Sequence, residues 1–202
     1  VVTIMTSRIL FCLFLVPLVE CSRPTPSVQV YNDDFNWNNT IPEGFDSVSS
    51  EDWRKMQSRG QEAVEDTYGE EMEDHTTTIF VFRSGLTNYM EANQQPFDEA
   101  VDGDYLESCK AVDAILYETF EAQMPGSKVD SVTSLEQVGN LQFYKTEMKV
   151  TYPGNIVMNV LMYSRLFEKK DFTLSIMYTD EEKGLKMKEA WLSSTFSGKP
   201  AL

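Results

Sequence analysis

The chain has a single histidine, His75, and three cysteines, Cys12, Cys21 and Cys109, among 202 residues. A Cys–His couple or a Ser–His–Asp triad would have to use His75. That residue ends the polar run Glu70-Glu71-Met72-Glu73-Asp74-His75, a poor seat for a rigid base. Zinc centres need several Cys or His ligands at close spacing, and the sequence supplies no such group. Positive charge is also scarce, with 17 Lys and Arg against 32 Asp and Glu and a net charge of −15. Binding nucleic acid or an anionic membrane surface takes clustered Lys and Arg, so both are excluded as partners. Solubility accounts for the acidity, with a basic partner or a divalent cation as the sharper alternative. There is no Gly-x-Gly-x-x-Gly, no phosphate loop and no internal repeat. No cofactor and no metal is expected.

Long apolar runs are missing everywhere except at the start. Residues 1–21 read VVTIMTSRILFCLFLVPLVEC, with Arg8 ahead of an apolar stretch from Ile9 to Val19. That stretch has the length of a signal-peptide core and falls short of the ~20 residues that span a bilayer. Residues 1–21 are therefore expected to direct export. Two readings of the junction stay open: ordinary cleavage after Cys21, or a lipobox-like Leu18-Val19-Glu20-Cys21 with Cys21 as lipid acceptor. Either way Cys109 is the one thiol left, so an intramolecular disulfide is excluded. Cys109 lies in an apolar helical stripe and reads as a small buried hydrophobe rather than a nucleophile.

Hydrophobic residues make up 42% of the chain and aromatics 12%, enough to build a core. Residues 22–48 are rich in Pro, Asn and Asp and read as a tether to about Gln29 followed by an irregular or strand-like stretch, anchored by Phe35, Trp37 and Phe45. Asn38-Asn39-Thr40 is an N-glycosylation sequon with Asn38 as acceptor, relevant only in a eukaryotic host. Residues 49–198 read as a single α+β domain. Apolar spacing predicts a helix over 50–67, opened by a Ser49/Asp52 capping box and ended by Gly69. Residues 76–83 (TTTIFVFR) predict a buried strand, and 86–101 a loop. Tyr105, Cys109, Val112, Leu116 and Phe120 mark a long helix over 104–124, capped by Asp104 and stopped by Pro125-Gly126.

From Lys128 to Tyr178 the period changes to two. A loosely alternating stretch, 129–138, leads into strands over 141–152, 156–167 and 172–178. The short turns between them imply antiparallel neighbours. A last helix is expected over 180–196, with Thr179 and Glu182 as its capping box and Leu185, Leu192 and Phe196 on its inner stripe, widened by Met187 and Trp191. The expected architecture is an antiparallel sheet of about five strands sandwiched by helices.

The segment Asp98-Glu99-Ala100-Val101-Asp102-Gly103-Asp104 looks at first like a calcium loop. Ala100 stands where the third ligand belongs, and Cys109 where a bidentate Glu would close an EF-hand. Asp98, Asp102 and Asp104 therefore remain weak acidic-loop candidates, with Asp102 and Asp104 better explained as helix-start residues. Met148, Met158, Met162 and Met177 lie on strands, where they fill a core or line an adaptable groove.

The order strand, long helix, antiparallel strands and terminal helix over residues 76–196 resembles the PsbP-like fold family. The closing KEAWLSSTF, with Ser193-Ser194-Thr195-Phe196, is similar to that family's last helix and its Ser-Phe ending. The resemblance carries over no functional residue. It implies an α/β/α sandwich and a binding role, since such folds serve as photosystem extrinsic subunits, a Ran-binding import factor and chaperones of secreted effectors. Two functions from different classes follow. One is an exported, non-enzymatic binding or assembly module of the cell envelope with a protein partner, secreted, periplasmic or lipid-anchored. The other is a secreted hydrolase using paired carboxylates, which requires two acids in one cleft.

Overall fold

The computed structural model describes residues 25–69 and 75–197. The expected export segment and Cys21 lie outside the described residues. Strand β3 (Asp46–Ser47), β4 (Thr77–Arg83), β5 (Tyr89–Pro96), β6 (Lys128–Val138), β7 (Leu141–Thr151), β8 (Val157–Phe167) and β9 (Lys170–Tyr178) form one sheet. Its spatial order is β3-β4-β5-β9-β8-β7-β6, and every neighbouring pair is antiparallel. A smaller sheet combines β1 (Val28–Asn32), β2 (Trp37–Ile41) and β10 (Thr195–Phe196).

Two cores result, one on each face of the large sheet. Alternation along β7 sends Leu141 and Phe143 to one side and Met148 and Val150 to the other. The first face packs against the small sheet and helix α4 (Glu181–Leu192) around Trp37, Phe172, Trp191 and Phe196. The second packs against helix α3 (Tyr105–Gln123) through Leu116, Tyr117 and Phe120, with Met148 and Met158 filling the space. Helix α1 (Ser50–Tyr68) lies beside α3 and seats Trp53 on Tyr89, ring centroids 5.8 Å apart. Its start is the expected capping box: the Asp52 amide donates to Ser49 Oγ at 3.1 Å, and Ser49 Oγ donates to the Asp52 carboxylate at 2.8 Å. Its end is Gly69 at φ +72°, a conformation that favours glycine.

The α+β sandwich is as the sequence implies, but the elements are more numerous. Residues 86–101, expected as a loop, contain β5 and the short helix α2 (Glu99–Asp102). The segment after Gln29, expected to be irregular or strand-like, carries most of β1 and all of β2 and β3. Phe35, Trp37, Ile41 and Phe45 sit in the first core. The last helix stops at Leu192 rather than 196, because Thr195 and Phe196 turn out to pair with Asn38 and Trp37 of β2. Its cap is Asp180, which accepts from the Lys183 amide at 3.2 Å, not Thr179. Its inward residues are Met187 and Trp191, while Leu185 faces out.

Candidate functional site

Helix α3 crosses the large sheet over a layer that is unusually polar. From β5 the residues Glu91, Asn93 and Gln95 share one face, and from β9 Asp171, Thr173 and Ser175 stand opposite them. Two tyrosine–carboxylate contacts of reversed polarity fasten the helix there. Tyr105, on the helix, donates to Asp171 of β9 at 2.6 Å, and Gln95 donates to the other Asp171 oxygen at 3.0 Å. Asp113, on the helix, accepts from Tyr144 at 2.6 Å and from Thr146 at 2.7 Å, both on β7. Hydrogen bonds to a charged group stabilise by about 1.5–3 kcal/mol each, so these contacts hold the helix in register on a layer that offers little apolar burial.

Between the two contacts lies a cavity of about 110 Å³ lined by Cys109, Tyr105, Asp113, Tyr144, Ser164 and Asp171, among others. Burial, reinforced by the nearby Asp171 and Asp113 charges, pushes the Cys109 thiol up to about 11. It stays protonated at neutral pH and is a poor nucleophile. Burial also raises the Asp171 carboxyl above the usual range, against the pull of the Tyr105 and Gln95 hydrogen bonds. Burial and the Asp113 carboxylate push the Tyr144 phenol up to about 12. The two acids that share this cavity are each already held by two side-chain donors.

The cavity opens toward a groove of about 450 Å³ with which it shares Tyr105, Tyr144 and Ser164. The groove exists because the sheet splits. Strand β7 begins at Leu141 and β8 runs to Phe167, yet their pairing stops at Tyr144↔Ser164. The side chain of Arg165 sits in the split and donates from Nη1 to the Gln142 carbonyl at 2.6 Å. Its Cζ lies 5.5 Å from the centre of the Phe167 ring, a cation–π distance. Its Nε is buried without a hydrogen-bond partner, and it makes no ion pair among the described residues. Burial lowers its pKa from the ordinary value. Leu106 and Leu135, 43% and 61% exposed, flank the groove, and Glu99 and Glu168 line it as well. A second cleft of about 510 Å³ runs beneath α1 along β4, with Trp53 and Arg54 on its wall and no carboxylate among its described lining residues.

A separate charged cluster occupies the other face. The Lys145 ammonium is buried between Glu136, at 2.7 Å, and Glu147, and lies 5.6 Å from the Tyr163 ring centre. Burial works to lower the Lys145 pKa, but the hydrogen bonds that Lys145 donates to both carboxylates outweigh it and hold the pKa above the ordinary value.

The residues singled out in the sequence do not converge on the groove. Asp98 caps α2, accepting from the Ala100 amide at 3.1 Å, and pairs with Lys169 at 2.6 Å. Asp102 accepts from the Asp98 amide at 2.7 Å, and Asp104 caps α3 by accepting from Glu107 at 2.9 Å. Asn38 is exposed on β2, in register with Tyr31 and Thr195. His75 is exposed just ahead of β4. Met148 and Met158 are buried in the second core, with Met162 and Met177 packed against it. The residues that sequence reasoning passed over are Arg165, Asp113 and the Tyr105–Asp171 pair. Asp113 had a signal: it continues the spacing of Tyr105 and Cys109 by four residues, and a charge on the inward line of a helix asks for a partner.

The architecture is that of a PsbP-like fold. A solution structure of the cyanobacterial PsbP protein (CyanoP) from Synechocystis sp. PCC 6803 matches it with a TM-score of 0.53. The match covers 84% of this chain and 92% of that one, at 12% sequence identity. No family model matches the chain. No curated protein matches it in sequence.

Proposed function

We propose that the chain is a non-enzymatic binding or assembly module that takes a segment of a protein partner into the groove beside Arg165. One observation carries this reading: the Arg165 guanidinium lines the groove, is fixed by the Gln142 carbonyl and the Phe167 ring, and makes no ion pair among the described residues. A desolvated Arg held in this way is pre-organised for a carboxylate, and forming that contact costs little ordering entropy. Glu99 and Glu168 in the same groove repel a wholly acidic segment. The chemistry therefore fits a segment carrying a carboxylate for Arg165 and a basic residue beside it, with an apolar side chain between Leu106 and Leu135. The PsbP-like fold agrees with a binding role. Export to the cell envelope belongs to the same proposal, with the domain either free or tethered through a lipid on Cys21. The mass of the mature N-terminus distinguishes a diacylglyceryl Cys21 from a free Ser22.

The test is selection of peptides from a random displayed library on the full chain, followed by calorimetric titration. Selected peptides are expected to carry an acidic residue or terminal carboxylate. They should lose at least about tenfold in affinity for Arg165→Ala, the cost of removing one partner of a charged hydrogen bond. Peptides that bind Arg165→Ala as well as the native chain would contradict the assignment, as would a selection that yields no binder.

A further inference from the structure

We propose that Asn38 is the acceptor of an N-linked glycan and that Tyr31 seats its first sugar. The proposal is independent of the reading of the groove. It rests on the export reading with the domain free, in a cell whose secretory route makes this transfer. Asn38-Asn39-Thr40 is the one Asn-x-Ser/Thr triplet in the chain. Strand β2 alternates across the small sheet, so Asn39, 2% exposed, turns inward with Trp37 and Ile41, while Asn38 and Thr40 are both exposed. The acceptor amide and the hydroxyl that the triplet requires therefore stand together on the outer face of the sheet.

The surroundings of Asn38 suit a sugar. Tyr31 of β1 lies in register with it on one side and Thr195 of β10 on the other, and Gln29 lies opposite Thr40. All four neighbours are exposed and none is charged, with Tyr31 at 56% the one large side chain among them. Directly opposed side chains of an antiparallel pair stand about 4.5–5.5 Å apart at Cβ. A pyranose ring on Asn38 Nδ2 therefore comes against the Tyr31 ring, whose apolar face meets its C–H groups and whose hydroxyl meets its O–H groups. The Tyr31 hydroxyl donates to Asn36 Oδ1 at 3.4 Å, which keeps the ring beside the strand. The groove beside Arg165 is walled by α3, which packs on the opposite face of the large sheet, so a glycan here leaves the groove open. In the transfer, Asn38 Nδ2 bonds to the anomeric carbon of a lipid-linked oligosaccharide diphosphate. The bond from that carbon to the diphosphate oxygen breaks, the lipid diphosphate leaves with the electron pair, and the amide proton passes to a base of the transferase.

Translation of the full chain in the presence of endoplasmic-reticulum microsomes tests the acceptor. The protease-protected product is expected to gain the mass of one oligosaccharide, which peptide N-glycanase removes. Asn38→Gln and Thr40→Ala should lose that gain completely, while Thr40→Ser and Tyr31→Ala should keep it. The seat is read by nuclear magnetic resonance on the chain secreted from cultured eukaryotic cells. Protons of the first sugar should be shifted upfield by the Tyr31 ring and return to their ordinary positions in Tyr31→Ala. A protected product without added mass would overturn the acceptor, as would a glycan that survives Asn38→Gln. A chain left outside the microsome would overturn the proposal through its export premise instead, and its sensitivity to protease tells the two failures apart. Sugar resonances unchanged by Tyr31→Ala would overturn the seat.

Discussion

Trp37→Ala is expected to lower the unfolding free energy by about 4 kcal/mol, within the range for deleting a buried large aromatic. Trp37 is 0% exposed and belongs to β2, in the stretch that the sequence suggests is irregular or strand-like and anchored by its aromatics. Its ring stands 5.4 Å from Phe80, 5.1 Å from Phe172, 6.0 Å from Trp191 and 6.2 Å from Phe196. These partners come from β4, β9, α4 and β10, so one side chain ties the small sheet to the large sheet and the last helix. Truncation would leave a cavity that rigid aromatic walls cannot close, and cavity volume adds to the lost transfer free energy. The indole Nε1 is buried without a hydrogen-bond partner. Trp37→Phe removes that orphan donor while keeping a ring, so it should cost about 1 kcal/mol or less. Urea unfolding of the two variants checks both values. A loss under about 1 kcal/mol for Trp37→Ala would mean that residues 28–47 are not part of the cooperative core.

Glu91→Gln is expected to stabilise the protein at alkaline pH and to change little in acid. Glu91 lies two residues from Tyr89 on the face that α1 covers, and its Oε2 is buried without a hydrogen-bond partner. Burial pushes its carboxyl up to about 7, although hydrogen bonds with Asn93 and Ser175 pull the other way. A carboxyl whose folded pKa is raised contributes stability while protonated. That contribution is fully present below the unfolded value and is lost as pH rises through the folded one. The window therefore runs from about 4.5 to about 7. Asp171 acts in the same direction, since burial raises its pKa too. Asp34 and Asp98 act in the opposite direction, because their lysine partners lower theirs. The comparison with Glu91→Gln isolates one group from that background. Between about pH 4 and about pH 8 the stability difference between the native chain and the variant should widen by on the order of 3 kcal/mol. Denaturant titrations at a series of pH values measure it. Parallel curves for the two proteins would mean that Glu91 is charged and solvated in the fold.

The same polar layer explains where the sequence was readable and where it was not. Strands β7, β8 and β9 show in the pattern because at least one face of each is filled with apolar side chains, as with Leu141 and Phe143 or Phe172 and Leu174. Strand β5 hides because its apolar face offers only Met90 and Ala92, while Glu91, Asn93 and Gln95 on the other face look like a loop. It is nevertheless an interior strand, held between β4 and β9 by pairing on both sides. Strands β1 and β2 are rich in polar residues and are specified by a few buried anchors, of which Phe35, Trp37 and Phe45 stand out in the sequence as aromatics. The end of α4 was misplaced because Phe196 continues the helical spacing, whereas its burial is satisfied by stacking on Trp37 from a strand. The candidate site was the least legible part. Arg165 acquires its meaning only from the gap between β7 and β8, and the length of the β7–β8 pairing is a tertiary property. Periodicity places Cys109 on the inward line of α3, but the carboxylates that add to the effect of burial on its pKa come from Asp171 on a strand far along the chain and Asp113 on the same helix.

Nuclear magnetic resonance mapping of a selected peptide on the isotope-labelled full chain asks most directly whether recognition happens where the sheet divides. The largest shifts should fall on the Arg165 guanidinium, the Gln142 and Tyr144 amides and the first turn of α3, with the Cys109 neighbourhood undisturbed. Shifts centred instead on Cys109, Asp113 and Asp171 would place the ligand inside the polar layer and contradict the assignment of that layer to holding the helix.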